Sequence, residues 1–337
     1  MIRIGILSPS SIALNRFLPS LIKTDQFQYI GIAAASPEEW TGEATEELLI
    51  KEREKADSFQ KKFGGKIFSG YRSLLESEEI DAVYLPLPPA LHCEWGIRTL
   101  EHGKHLLVEK PSTTNVRDTK RLVKTASNDG LALHENYMFQ YHTQLEEIQK
   151  KIASGELGEI RTYKLSFGFP HRGMDDFRYS KAMGGGALLD CGGYPVKLAS
   201  LLLGDTARVV QSRLNDAPGC EVDLFGTAVL ENAEGICAQI SFGMDNAYQC
   251  QLEVWGSRQT LIAPRIFTAG AGVKPTLILR SSSEERVLEL EEDDQFRKSI
   301  EAFGECISNP VLREESCRRI QKQADLIDQI GGANLCK

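Results

Sequence analysis

Ser8-Pro9-Ser10-Ser11-Ile12-Ala13 joins a strand-like apolar run to a helical pattern. In such a strand-to-helix turn, backbone NH groups and a helix N-terminus can face a pyrophosphate. The fingerprint of that chemistry is GxGxxG or GxGxxA. Ala13 suits close packing of helix on strand, but Ser8 and Ser10 replace the two leading glycines. Their hydroxyls could donate to phosphate, whereas the Cβ of Ser10 stands where backbone and ligand must approach. Taken alone, the turn reads equally as a cofactor loop, with Ser11 and Ile12 opening the helix, or as an ordinary connection. Ser36 closes the second strand pattern. An acid there would bind a ribose 2′-OH and repel a 2′-phosphate. Ala35-Ser36-Pro37 offers a hydroxyl and no acid before Glu38, which leans toward NADP over NAD, although no arginine follows.

Lys110 stands in Glu109-Lys110-Pro111, directly after the apolar run of residues 104–108. A lysine at the C-terminal edge of a parallel sheet sits where such folds bind ligands. Its ammonium can hydrogen-bond a reacting oxygen and stabilise a developing alkoxide. The plainer alternative is a surface lysine held by Glu109. Gly184-Gly185-Gly186 suggests close approach to another backbone or to a substrate, because it carries no Cβ. Just before it, Arg178 and Lys181 either meet a substrate phosphate or carboxylate or are solvated. His171-Arg172 is a weaker candidate for the same anion. The six histidines lack metal-ligand spacing and the eight cysteines form no CxxC pair, so no metal is expected.

The elements that would position these residues fall into two rhythms. Strand patterns at residues 2–7, 28–35, 81–87, 104–108 and 131–134 alternate with helical ones at 12–23, 41–62, 92–102 and 115–128. Such alternation predicts a doubly wound, Rossmann-type parallel sheet over residues 1–130. Residues 131–337 read as an α+β domain. A helix at 144–154 precedes strands at 160–168, 207–214, 223–230, 235–242, 250–255, 276–279 and 286–290. Without helices between most of them, these predict a large, mainly antiparallel open sheet. Helices at 193–203, 294–308 and 313–330 complete the chain, and the last two could pack back on the first domain.

A net charge of −8 gives no global attraction to nucleic acid or anionic membrane. No apolar run reaches membrane-spanning length. Residues 1–5 open directly into a strand pattern without the features of a signal peptide. A cytoplasmic protein with free thiols is therefore expected.

Four segments in order resemble the Gfo/Idh/MocA oxidoreductases, the family of glucose–fructose oxidoreductase and inositol dehydrogenase. They are Pro86-Leu87-Pro88-Pro89-Ala90-Leu91-His92, Glu109-Lys110-Pro111, Gly155-Glu156-Leu157-Gly158-Glu159-Ile160, and Gly184-Gly185-Gly186-Ala187-Leu188-Leu189-Asp190-Cys191-Gly192-Gly193-Tyr194-Pro195. The chain departs from the pattern at the glycine turn and at Pro89, where Asn is common. Gln140 and Thr143 replace a frequent Arg and Pro, and an insertion lies between Ser36 and Lys55.

The resemblance implies hydride transfer between NADP or NAD and a secondary alcohol or ketone of a sugar, whether free, phosphorylated or nucleotide-linked. It puts Lys110 in the active site near the nicotinamide. It aligns Tyr194 with the tyrosine of the sugar-active branches, able to exchange a proton with the reacting oxygen. A phenol ordinarily titrates near 10, and a cation such as Lys110 would lower it. Asp190 would hold a substrate hydroxyl or orient the base. Helix capping is the plainer role for both. Pro86, Leu87, His92 and Glu109 would line the cofactor. The trans-dihydrodiol dehydrogenases share this motif, and other relatives sense a dinucleotide without catalysis or cleave glycosides with a held NAD. Family members commonly bury the open sheet against another subunit, so a homodimer or homotetramer is expected.

Overall fold

The structure, a computed structural model, describes residues 1–42, 44–173 and 176–332. It divides into two compact units, residues 1–136 with 296–321 and residues 137–295 with 322 onward. The first unit is built on six parallel strands: β1 (Ile2–Leu7), β2 (Phe27–Ala34), β3 (Lys66–Ser69), β4 (Ala82–Leu85), β5 (His105–Val108) and β6 (Leu133–Glu135). Their order is β3-β2-β1-β4-β5-β6, which reverses direction between β1 and β4, the switch point where such sheets bind ligands. Because β6 completes this sheet, the unit runs to 136 and not to 130.

Parallel neighbours need crossovers. These are α1 (Leu18–Leu21), continued from a π-helical turn at Ala13–Phe17, then α2 (Glu46–Phe63), α3 (Tyr71–Leu75), α4 (Pro89–Glu101) and α5 (Val116–Asn128). Strand alternation makes two cores. Leu7, Ala33, Val83, Leu85, Leu106 and Val108 pack with Leu74, Trp95 and Leu122 on one face. Ile4, Ile6, Ile32, Tyr84 and Leu107 pack with Phe17, Phe59 and Phe303 on the other. Each large apolar side chain buried this way contributes about 1.5–3 kcal/mol. The sequence pattern does not mark β3, because Ile67 and Phe68 are the only apolar residues of a short, partly exposed edge strand.

In the second unit, α6 (Thr143–Ala153) leads into β7 (Ile160–Gly168). A π-helical turn at Leu188–Gly192 then runs into α7 (Gly193–Leu203). Next come β8 (Arg208–Asn215), β9 (Phe225–Glu231), β10 (Cys237–Gly243), β11 (Gln249–Gly256), β12 (Thr260–Ala263), β13 (Thr276–Arg280) and β14 (Glu285–Glu289). These strands form one sheet in the order β14-β13-β12-β11-β7-β10-β9-β8, antiparallel except between β7 and β10. One face buries Tyr163, Leu165, Ala238, Ile240, Leu252 and Val254, and α7 packs over β7 and β10. Pairing register puts Trp255, Phe225, Ile262, Ile278 and Val287 together on the opposite face. Trp255 there is 51% exposed and Val287 60%. Two helices close the chain, α8 (Gln295–Ser308) and α9 (Pro310–Gly332). The first unit takes α8 from Phe296 and α9 up to Gln321, and the second takes the rest.

Candidate active site

The turn after β1 is tight for a reason the sequence obscures. Ser8 adopts φ +86°, the left-handed region that the leading glycine of the fingerprint normally occupies, and it is the one non-glycine residue to do so among the described residues. Its NH donates to the Ala33 carbonyl at 3.1 Å, and its hydroxyl donates to Glu52 Oε1 of α2 at 3.3 Å. Glu52 is 6% exposed, and burial raises its pKa against the opposing pull of Lys55 and Ser8. Ser10 Oγ accepts from the Ala13 NH at 3.2 Å and so caps the helix start. Ser11 is exposed and Ile12 half-buried, while Ala13 is fully buried, as close helix-to-strand packing requires. This arrangement fits a dinucleotide pyrophosphate: a left-handed turn residue, a capped helix start whose first NH groups have no intrahelical partner, and a residue without bulk at the contact.

At the C-terminal edge of β5, Glu109 turns inward. Tyr84 Oη and Asn136 Nδ2 both donate to its Oε1 at 2.6 Å. Burial raises its pKa, while those two donors and the charge of Lys110 oppose the rise. The carboxylate expected to line the cofactor thus braces the strand ends. Lys110, the next residue, is half-buried. Asn136 accepts from Ser299 Oγ at 2.9 Å, and Glu135 accepts from the Ser112 NH at 2.9 Å, so polar groups fix both sides of the Lys110 turn.

His92 is fully buried, with Nδ1 2.8 Å from the Pro111 carbonyl and Nε2 2.6 Å from the Leu87 carbonyl. Only an imidazolium could donate to both. Desolvation outweighs the two carbonyls, and with the Lys110 charge it pushes the pKa down to about 4. We therefore take the ring as neutral at pH 7, bonded to one carbonyl and packed on the other. His92 pins the Leu87 loop to the Lys110–Pro111 loop. Pro86 and Leu87 are themselves buried.

In the second unit, the triple glycine meets protein. A Cβ on Gly185 would overlap the Arg178 carbonyl, and one on Gly186 would overlap the Asp223 carboxylate. Asp223, which the sequence reading did not single out, accepts from the Leu188 NH at 2.7 Å and holds the helical turn that carries Asp190. Burial raises its pKa and the Leu188 NH opposes the rise. Arg178 donates through Nε to Asp190 at 2.9 Å and through Nη1 to Asp176 at 3.1 Å. The guanidinium expected to receive a substrate anion instead orients Asp190. Lys181 and Arg172 are exposed, as is His171.

Tyr194 is 8% exposed, with Tyr137, Phe139, Phe167 and Phe267 around its ring at centroid distances of 5.0–5.9 Å. Its hydroxyl lies 4.0 Å from Met138 Sδ. Gln323 donates to the Gly193 carbonyl at 2.9 Å, tying down the turn before the tyrosine. Lys197, one helical turn further, is 4% exposed, with Nζ 5.7 Å from the Tyr137 ring centroid.

A six-stranded Rossmann sheet with an adapted pyrophosphate turn, joined to an open-sheet unit bearing an Asp/Tyr helix start, defines a nicotinamide-dependent oxidoreductase. Residues 25–137 match the model of the oxidoreductase family with an NAD-binding Rossmann fold, and residues 145–262 match the Gfo/Idh/MocA C-terminal domain. The chain belongs to the Gfo/Idh/MocA family. It is 34% identical over 341 residues to a dTDP-3,4-didehydro-2,6-dideoxy-alpha-D-glucose 3-reductase of Saccharopolyspora spinosa, covering 99% of this chain and 98% of that protein. An enzyme of the same name from Streptomyces violaceoruber is 39% identical over 98% of this chain and 94% of its own length. Among solved structures, KijD10, a 3-ketoreductase from Actinomadura kijaniata crystallised with NADP and TDP-benzene, superposes with a TM-score of 0.90 at 35% identity, covering 98% of this chain and 97% of that one. The protein is an enzyme that moves a hydride between a nicotinamide dinucleotide and a CH–OH or keto group of a sugar derivative.

Proposed function

We propose that this chain reduces the 3-keto group of a deoxysugar linked to thymidine diphosphate, with NADPH as the reductant. The observation that carries this reading is end-to-end similarity to dTDP-sugar 3-reductases, alongside Lys110 in its Glu-Lys-Pro segment and Asp190 and Tyr194 in the segment after the triple glycine. KijD10 has been solved as variants in which a lysine or a tyrosine is replaced, and those two residues lie as far apart in sequence as Lys110 and Tyr194 do here.

Bound NADPH supplies the hydride. Tyr194 delivers the proton to the carbonyl oxygen as that oxygen gains charge. The Lys110 ammonium donates a hydrogen bond to the same oxygen and stabilises the developing alkoxide. Asp190, fixed by Arg178, holds a sugar hydroxyl and orients the reacting carbon. The apolar rings around Tyr194 exclude water from the proton donor.

Replacing Tyr194 by Phe or Lys110 by Ala should lower kcat by about a hundredfold or more while leaving NADPH affinity, read by calorimetric titration, within a few fold. Normal turnover in both variants would defeat the assignment.

A second copy of the chain covers the outer face of the large sheet, giving a homodimer or homotetramer. The apolar residues Trp255, Phe225, Ile262, Ile278 and Val287, sharing one face, support this. The free thiols of the described cysteines suit a reducing cytoplasm, where the enzyme works, and no described helix is long and apolar enough to cross a membrane.

A further inference from the structure

The segment after β2 is drawn against the start of α3 by a single carboxylate. Glu39 Oε2 accepts the NH groups of Ser36 at 3.0 Å and Tyr71 at 2.7 Å, and its Oε1 accepts the Arg72 NH at 2.8 Å. The adjacent strands continue the contact, with Ala34 paired to Ser69 and the Gly70 NH donating to the Ala34 carbonyl at 2.8 Å. Gly70, at φ +103°, leaves the room this requires, since a Cβ there would press on Glu39 Oε2 at 3.0 Å. The sequence has no arginine immediately after Ser36, yet the fold brings one in from 36 residues downstream.

Glu38 and Arg72 are exposed and of opposite charge, and Ser36 is half-buried. Ser36 Oγ donates to Glu38 Oε2 at 2.9 Å. The Glu38 pKa is lowered by its own backbone NH and the Ser36 hydroxyl, with Arg72 adding to the effect. The end of the second strand is where Rossmann folds discriminate the 2′ position of the adenosine ribose. A carboxylate there takes a hydroxyl, and an arginine takes a phosphate. This chain carries both groups.

We infer that the Arg72 guanidinium and the Ser36 hydroxyl form the receptor for the 2′-phosphate of NADPH, and that Glu38 is the competing anion the phosphate displaces. The inference rests on the reading of the chain as an NADPH-dependent reductase. With Glu38 on the Ser36 hydroxyl, the same position suits the free ribose of NADH. The Glu38/Arg72 pair therefore sets how strongly the enzyme prefers one dinucleotide over the other.

The test is calorimetric titration of purified, cofactor-free protein with NADPH, NADH and adenosine 2′,5′-bisphosphate, a probe that carries the 2′-phosphate but no nicotinamide. Arg72→Ala should weaken NADPH and the bisphosphate by roughly 10- to 100-fold, the loss expected when a charge-assisted pair is removed, with a much smaller change for NADH. Arg72→Lys should recover part of the loss. Glu38→Gln should shift the NADPH-to-NADH ratio the other way, by about threefold or more. A ratio unchanged in both Arg72→Ala and Glu38→Gln would overturn the assignment while leaving the reductase reading in place. Wild-type protein that binds neither dinucleotide would overturn both.

Discussion

Ser8 holds a backbone conformation that costs an L-residue about 1–2 kcal/mol and costs glycine nothing. Glycine has its own penalty of about 0.5–1 kcal/mol, from the greater freedom of the unfolded chain. The hydroxyl also bonds Glu52 at 3.3 Å, so a single substitution would mix two effects. Comparing Ser8→Gly with Ser8→Ala separates them, because both variants lose the hydroxyl and differ in backbone freedom. The difference between the two penalties makes Ser8→Gly more stable than Ser8→Ala by about 0.5–1 kcal/mol. Urea unfolding followed by the fluorescence of Trp95, which is 4% exposed in the same unit, would measure it. Ser8→Ala equal to or more stable than Ser8→Gly would refute the claim that this serine stands in for a glycine under strain.

The remaining predictions concern pH and assembly. His92 has a folded pKa of about 4 against an unfolded value of 6.5, so between these the unfolded chain binds the extra proton. Its contribution is present in full above 6.5, falls as the pH drops through the window, and amounts to at most about 3 kcal/mol. Urea midpoints of wild type and His92→Gln between pH 7.5 and 4.5 should therefore converge as the pH falls, and parallel curves would contradict the neutral, buried ring. For the outer sheet face, light scattering on a sizing column should give at least twice the monomer mass. Trp255→Glu combined with Val287→Glu should shift the population toward monomer, and a wild-type monomer at micromolar concentration would rule the covered face out.

Much of this molecule is legible in its sequence. Period-two apolar runs such as residues 160–168 mark strands that are buried on one face, and the alternation of strands and helices before Leu131 specifies the parallel sheet. Elements without such a signal escape the reading. Short β12 has only four residues beside a turn, and β3 sits at a sheet edge with few apolar residues. The site divides in the same way. Lys110, Asp190 and Tyr194 stand out because their types and neighbours are distinctive. Glu52, Asp223 and Gln323 do not, because their roles depend on bonds to backbone or turn atoms far away in the chain. Arg178 is readable as a cation near the site, but its pairing with Asp190, twelve residues further on, emerges only once the chain folds back on itself.

The most direct test of the central claim is the nicotinamide absorbance of NADPH after purified protein is mixed with a thymidine diphosphate-linked 3-ketosugar. The account predicts loss of that absorbance in step with the ketosugar supplied, and a rate of loss about a hundredfold or more lower with Tyr194→Phe. Folded protein that binds NADPH but leaves the absorbance unchanged, with this substrate and with free and phosphorylated ketosugars alike, would contradict it.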